Sequence, residues 1–392
     1  MKTTTRIRML DDARLLPLAE RLRPAGDPVE TLARVAWSVL VEPGDGTAGA
    51  LVDAHGAPQA LEIALQDAGL LTPGIVTPAA LADARTRWHP RAHAQAVMEA
   101  MTSCLDVGGH LMLPGDTGWP AGLQDLGPHA PLVLWARGDL TSFTAGPAVA
   151  MVGARAASPY GESVAADIAG DLAGACAVVV SGGAYGIDGA SHRAALGVGG
   201  VTVAFLAGGV DRAYPVGHHQ LFERIRKGGL VVSEVPCGGA PTKWRFLQRN
   251  RLIAAASLAT VVVEAGWRSG TLNTAGHAAA LGRPIGAVPG PVTSAASAGC
   301  HRLLREFDAI CVTNAQEVRE LWDDRALDAP SQPRVDPERV RLLDAMSMRT
   351  PRDAGDLARR CGLSVDRVRS LLGLLALDGV VVQTPEGWRR IG

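Results

Sequence analysis

The sequence predicts an α/β fold: a doubly wound, mostly parallel sheet, preceded by a small all-α domain and followed by a winged helix. Three observations predict it. From Ala148 to Val288 short β-branched runs alternate with helical periods, the pattern of βαβ units whose strands lie parallel. One of those runs, Val178 to Val180, leads directly into Ser181, Gly182, Gly183 and Gly186 and then an Ala-rich helix. Residues 338–392 read as three capped helices and a hairpin, a helix-turn-helix variant with a wing.

At 392 residues the chain suits two or three domains. Lys+Arg number 38 against Asp+Glu 39, so any basic surface is local and net charge argues for no nucleic-acid partner. The N-terminus lacks the apolar stretch of a secretory signal. No run of about 18 uncharged apolar residues offers a membrane span. The six cysteines are scattered, without C-x-x-C or zinc-type spacing to histidine, so neither a disulfide framework nor a metal site is expected. Reduced thiols in a cytoplasmic protein are the expectation.

Residues 1–26 are expected to form a mobile leader. From Glu30 the apolar spacing turns helical through Leu32, Val35, Ala36, Val39 and Leu40, and Pro43-Gly-Asp-Gly46 breaks it. Further helices run through Leu51–Val52 and Leu61–Leu65. Residues 27–105 thus form a small helical domain with a helix–Gly–helix rhythm. It suits either nucleic-acid backbone or a packing role, and no basic cluster accompanies it. Residues 106–322 hold the approach segment and the sheet. The approach is Gly- and Pro-rich and ends in the strand Pro131-Leu-Val-Leu-Trp135. Val149–Val152 begins the alternation. A helix from Gly161 to Ala175 follows, with Val164, Ile168 and Leu172 on one face. Strands are expected at Val201–Leu206, Leu230–Val232, Thr260–Val263 and Pro284–Val288, with helices from Leu221 and from Thr271. The Asp-, Pro- and Ser-rich stretch 323–337 reads as a linker. In the last unit Asp353 and Ser364 cap helices, and Arg367 and Arg369 lie off the apolar face of the recognition helix.

Where the chemistry could lie follows from this layout. A strand, Gly-rich turn and helix start is how α/β folds make anion sites, because glycines let the backbone approach a phosphate and helix N–H groups point at it. The same turn is also an ordinary tight βα connection whose glycines only supply positive φ. It matches neither dinucleotide nor Walker A patterns. Asp188 sits where a helix N-cap is expected. With His192 one turn on it makes either an acid/base pair or a cap and a structural histidine. Glu234 and Glu264 end strands and either flank a sugar or serve as supporting charges. His218-His219 lack a third ligand. The most specific local signal is Lys243-Trp-Arg-Phe-Leu-Gln-Arg-Asn-Arg251, four cations and two aromatics in nine residues, with no acid between Glu234 and Glu264. Cations that track phosphates and aromatic faces that stack on bases are what single strands require. Arg155 and Ser269-Gly270-Thr271 follow strands of the same sheet, so both belong to its carboxyl edge. Together these segments predict one extended anion groove.

Assembled, the segments resemble the DNA-processing protein A family (DprA, also called Smf) over residues 30–320. The resemblance rests on Val149–Arg155 with Ser158-Pro-Tyr-Gly161, Ser181–Asp188 with His192, Gly208–Pro215, Ser233-Glu234, Phe246 with Arg249-Asn250-Arg251, Val263-Glu264 with Ser269-Gly270, and Val288-Pro-Gly290. It implies an extended Rossmann-like domain that binds single-stranded DNA without catalysis or cofactor, forms homodimers, and loads RecA recombinase in natural transformation. The N-terminal helices resemble the small SAM- or helix-hairpin-helix-like domain that often precedes this fold. The DNA-contact candidates are Arg155, Ser181, Gly182, Gly183, Ala184, Tyr185, Gly186, His219, Lys243, Arg245, Phe246, Arg249, Asn250, Arg251, Ser269, Gly270 and Thr271. Two departures stand out. Tyr185 occupies a position where the family often has Arg, and Val216-Gly-His-His219 replaces the family's Asn and basic residue, which brings pH sensitivity. A second class is enzymatic: related lysine-decarboxylase-like phosphoribohydrolases use a glutamate and a Gly-Thr loop, for which Glu264 and Ser269–Thr271 are loose counterparts. A third is a regulator that binds duplex DNA through its winged helix.

Overall fold

The computed structural model describes residues 10, 12–65, 74–322 and 336–391. The chain divides into two compact units, Met1–Trp322 and Asp323–Gly392.

Among the described residues six α-helices open the first unit: α1 (Leu16–Leu22), α2 (Pro28–Leu40), α3 (Gly46–His55), α4 (Ala57–Leu65), α5 (Pro78–Trp88) and α6 (Ala94–Asp106). Side chains of Asp27, Asp45 and Thr77 cap the second, third and fifth by accepting backbone N–H groups, which satisfies donors that a helix start leaves open. Part of the expected leader is built in: Leu15, Ala19 and Leu22 are fully buried. Residues 1–9 and 11, and 323–335 of the expected linker, lie outside the described residues. The helical part packs around Trp37, whose ring meets Trp88 edge-on at 5.2 Å.

The sheet has nine strands: β1 (His110–Met112), β2 (Leu134–Gly138), β3 (Ala148–Val152), β4 (Val178–Ser181), β5 (Thr202–Phe205), β6 (Leu230–Ser233), β7 (Ala259–Val262), β8 (Ile285–Ala287) and β9 (Ile310–Cys311). Their order is β1-β2-β6-β5-β4-β3-β7-β8-β9. Pairings from β6 through β9 are parallel, and β2 is antiparallel to both its neighbours. The connecting helices are α7 (Pro159–Gly174), α8 (Ile187–Gly197), α9 (His219–Gly228), α10 (Lys243–Ala255), α11 (Thr271–Ala280), α12 (Ala298–Glu306) and α13 (Ala315–Arg319).

Both faces of the sheet are covered, which explains why its strands are apolar throughout rather than alternating. The side chains still part by parity. Val149 and Met151 join Ile168, Leu172, Ile187 and Val318 on one face. Ala150 and Val152 join Phe205, Ile253, Ala275 and Leu303 on the other. A third core unites the N-terminal helices with Leu111, Trp135, Leu206 and Phe222, so the helical part is continuous with the sheet's β1–β2 end.

The second unit holds α14 (Pro337–Ala345), α15 (Ala354–Cys361), α16 (Val365–Leu377) and the hairpin β10 (Val381–Thr384) and β11 (Gly387–Arg390). Asp353 and Ser364 are N-caps, and Gly362 ends its helix in the left-handed region. Leu342, Leu357, Val368, Leu372 and Val381 form its core. On α16, Arg367 pairs with Glu338 at 2.6 Å and Arg369 faces Asp366 at 3.7 Å.

Candidate nucleic-acid groove

The sheet's strand order reverses between β3 and β7. The chain leaves β3 toward β4, and β7 adds on the other side. Connections that diverge at such a point leave a crevice at the carboxyl ends of the strands. Here it is a cleft of about 470 Å³ lined by Arg155, Ala184, Asp188, Phe246, Arg249, Asn250 and Ser269–Thr271, among others. The post-strand turns of β3 and β7 and the basic segment therefore do converge, as their places in the sequence suggest.

The basic segment is not an extended strip. It is the start of α10, capped by the Thr242 side chain, which accepts from the Arg245 N–H. A helix turns its side chains through about 100° per residue, so the four cations leave in different directions. Phe246, Arg249 and Asn250, at i, i+3 and i+4, face the groove. Arg245 turns away to Glu42, with Nε and Nη2 at 2.9 and 3.0 Å from its carboxylate oxygens. Arg251 donates through Nη2 to both carboxylate oxygens of Glu234, at 2.8 and 2.7 Å, and is buried. Neither is free to meet phosphate, contrary to the sequence expectation, because both are neutralised by acids outside the segment. Lys243 is exposed.

Phe246 forms the floor. The Arg155 guanidinium lies 4.6 Å from its ring centroid, and that of Arg249 lies 5.8 Å away. Tyr214 packs against the same ring at 5.6 Å. Arg155 is exposed, and among the described residues it has no ion-pair partner. Arg249 is 6 % exposed; its Nη1 donates to the Phe205 carbonyl at 2.9 Å, and its Nε has no partner. Burial lowers its pKa to about 10, the negative charge of Asp188 opposing that shift and the positive charge of Arg155 adding to it. It is charged at neutral pH.

The Gly-rich loop works differently from expectation. Asp188 is not the cap: Gly186 is, and Asp188 lies within the first turn of α8. Its carboxylate accepts from the Ala184 N–H at 3.3 Å and from the Gly182 N–H. Two of the loop's backbone donors are thus taken by the protein's own acid. Burial raises the Asp188 pKa, while Arg249 and these donors pull it down. Ser181 is fully buried and donates to the Met151 carbonyl at 2.6 Å, so it ties two strands together. Gly182 is bare because a Cβ there would overlap the Arg249 guanidinium, and Gly186 because it packs on the backbone of Ala154 and Arg155. Gly183 lies against Phe222. Tyr185 is the loop's exposed residue, at 50 %, with its ring 4.7 Å from that of His218.

The remaining expectations divide. His192 is buried, and its Nδ1 pairs with the Thr202 hydroxyl at 2.7 Å. Burial, with the nearby charges of His218, Arg249 and Arg193, lowers its pKa to about 3, so it is a neutral structural histidine. His218 is buried against the Gly183 carbonyl at 3.0 Å, and His219 is exposed at the start of α9. Among the described residues no three His, Cys, Asp or Glu side chains gather as metal ligands. Glu264 is buried and accepts from the Ser158 N–H at 2.8 Å and hydroxyl at 2.6 Å, which turns its carboxylate toward the start of α7. Thr271 donates to the Gly153 carbonyl and Ser269 to Thr271, and these bonds hold the β7 turn against the β3 turn. Sequence reasoning missed Tyr214 and Asn273; the latter accepts from Asn250 Nδ2 at 3.2 Å. Reading Lys243–Arg251 with a helical period would have singled out the Phe246 face.

Comparison with known proteins shows which family the chain is similar to. A family model described as DNA recombination-mediator protein A matches residues 110–323, and one described as the DprA winged helix domain matches 326–387. The chain is 46 % identical over 300 residues to a putative DNA processing protein DprA of Mycobacterium tuberculosis, covering 72 % of this chain and 77 % of that protein. It is 36 % identical over 258 residues to protein Smf of Escherichia coli, covering 62 % and 67 %. The X-ray structure of DNA processing protein A from Streptococcus pneumoniae superposes with a TM-score of 0.61 at 29 % identity, over 75 % of this chain and 98 % of that one.

Proposed function

The chain belongs to the DprA/Smf family of DNA-processing proteins, and from that premise we propose that it binds single-stranded DNA, without catalysis, in the groove between β3 and β7. The observation that carries the proposal is the stack of Arg155 and Arg249 on Phe246. Two guanidiniums beside one aromatic ring offer phosphate contacts and a base platform within one residue's reach. Duplex DNA hides its base faces inside the stack, so a floor of this kind rewards only unpaired bases.

The absence of catalysis is part of the proposal. It is supported by Glu264, the carboxylate a phosphoribohydrolase would need, being buried and bonded to Ser158. Homodimer formation and the handing of the bound strand to RecA recombinase belong to the same reading and rest on family membership. Among the described residues no helix is long and apolar enough to cross a membrane.

Fluorescence anisotropy with labelled single-stranded and duplex oligonucleotides of one sequence tests the proposal. Tighter binding of the single strand is the expected result. Equal affinities, or base released from nucleoside monophosphates, would overturn it.

A further inference from the structure

We propose that the turn Gly266–Ser269, between β7 and α11, is a second contact platform on the path of the bound strand, with Trp267 stacking a base and Arg268 contacting a phosphate. The inference rests on the groove's being a single-stranded DNA site.

Neither residue lies in the basic segment or in the cleft. The Ser269 N–H donates to the Gly266 carbonyl at 3.0 Å, which makes Trp267 and Arg268 the two central residues of a tight turn. Such a turn presents both side chains at its tip. It leads directly into Ser269, Gly270 and Thr271, which line the groove. Its base is pinned, since Ser269 and Thr271 bond to each other and Thr271 to Gly153. The tip is therefore held at a fixed place, adjacent in the chain to residues that line the groove.

Trp267 is 55 % exposed although it is the largest apolar side chain a protein can carry. An exposed tryptophan that joins none of the hydrophobic cores needs another account. Its ring already carries one cation: the Arg302 guanidinium lies 5.3 Å from the ring centroid. This repeats the pairing of Arg155 with Phe246 in the groove. Arg302 is held in turn by Glu306 at 2.7 Å, so its charge is largely spent and its role is to steady the ring. Arg268 is exposed, and among the described residues it forms no ion pair. A free guanidinium next to a steadied aromatic face is the chemistry of a single-strand contact, and it continues the groove's own pattern.

Length dependence tests this with the full chain. Oligothymidylates of increasing length, from about 4 to about 20 nucleotides, are titrated against wild type, Trp267→Ala, Arg268→Ala and, as a control, Phe246→Ala. Short oligomers that fill only the groove are expected to bind Trp267→Ala and Arg268→Ala like wild type. Beyond a threshold length each variant is expected to lose roughly tenfold in affinity, the scale of one stacked base or one phosphate contact. Wild-type affinity of Trp267→Ala and Arg268→Ala at every length, with Phe246→Ala impaired, would overturn the platform and leave the groove standing. Unchanged binding by Phe246→Ala as well would overturn the reading on which it rests. Sedimentation of the same variants covers the other use of an exposed tryptophan: weakened self-association with unaltered DNA affinity assigns the turn to a second copy of the chain and overturns the proposal.

Discussion

One residue, Asn250, separates Arg249 from Arg251, and their surroundings give them opposite roles. Arg251 is buried against Glu234, both oxygens bonded. Removing one member of a buried pair leaves the other uncompensated, at a cost of about 3–5 kcal/mol. Arg251→Ala is therefore expected to lower the melting temperature strongly, while the DNA affinity of the folded protein stays near wild type. Arg249 forms no ion pair among the described residues, and its side chain lines the groove. Its loss removes a charge-assisted hydrogen bond worth about 1.5–3 kcal/mol, so Arg249→Ala is expected to weaken single-strand binding at least tenfold. Thermal melts and titrations of the two variants check the contrast. His192 gives a pH signature. Its folded-state pKa is about 3, below the unfolded value of about 6.5. As pH falls through 6.5 the unfolded chain binds a proton that the native state refuses. Stability is thus full above about 6.5 and declines toward 3, with a slope of about 1.4 kcal/mol per pH unit for one proton. Denaturant titrations at pH 7 and 5 should differ by about 2 kcal/mol, and His192→Gln should flatten that difference.

At the scale of elements, the β4–α8 loop and α10 form one device. Gly182 leaves the space in which Arg249 lies, and Asp188 occupies the loop's backbone donors. The loop shapes a guanidinium site rather than a phosphate nest. Gly182→Ala is expected to displace Arg249 and to reproduce the binding loss of Arg249→Ala, with secondary structure intact by circular dichroism. An unaltered Kd for Gly182→Ala would show that Arg249 need not lie there. The elements themselves were legible in the sequence. β-branched runs bounded by glycines marked the strands, and Asp353, Ser364 and Gly362 marked the helix ends. The pairing of cations was not legible: Arg245 finds Glu42 and Arg251 finds Glu234 only when the fold brings remote segments together. The capping place assigned to Asp188 also failed, because the helix begins at a glycine with positive φ, where a side-chain cap gives way to close backbone packing against Ala154.

At the scale of the whole molecule, a near-neutral chain with Lys+Arg 38 and Asp+Glu 39 offers single strands a local rather than a global attraction. Arg155 and Arg249 in the groove, and Lys243 exposed at the start of α10, are without a contacting acid among the described residues. Single-strand contacts release about 0.7 counterion per phosphate, so three such contacts predict a log–log salt slope of about −2. A much steeper slope would call for contacts elsewhere, the winged helix included. The doubly wound fold and the groove's place in it were readable from the order of strands, glycines and helices alone. The continuity of the N-terminal helices with the sheet was not readable, since their shared core joins Trp37 and Leu51 to Trp135 and Phe222 across long stretches of chain.

The most direct test of the groove is a titration of labelled single-stranded DNA with wild type and an Arg155→Ala/Arg249→Ala variant of retained fold. The cation-on-Phe246 account predicts that the variant loses about a hundredfold or more in affinity, at about 1–3 kcal/mol per contact, and that its salt slope flattens. A variant that binds as tightly as wild type, with the same salt dependence, would place the DNA somewhere other than the edge of the sheet between β3 and β7.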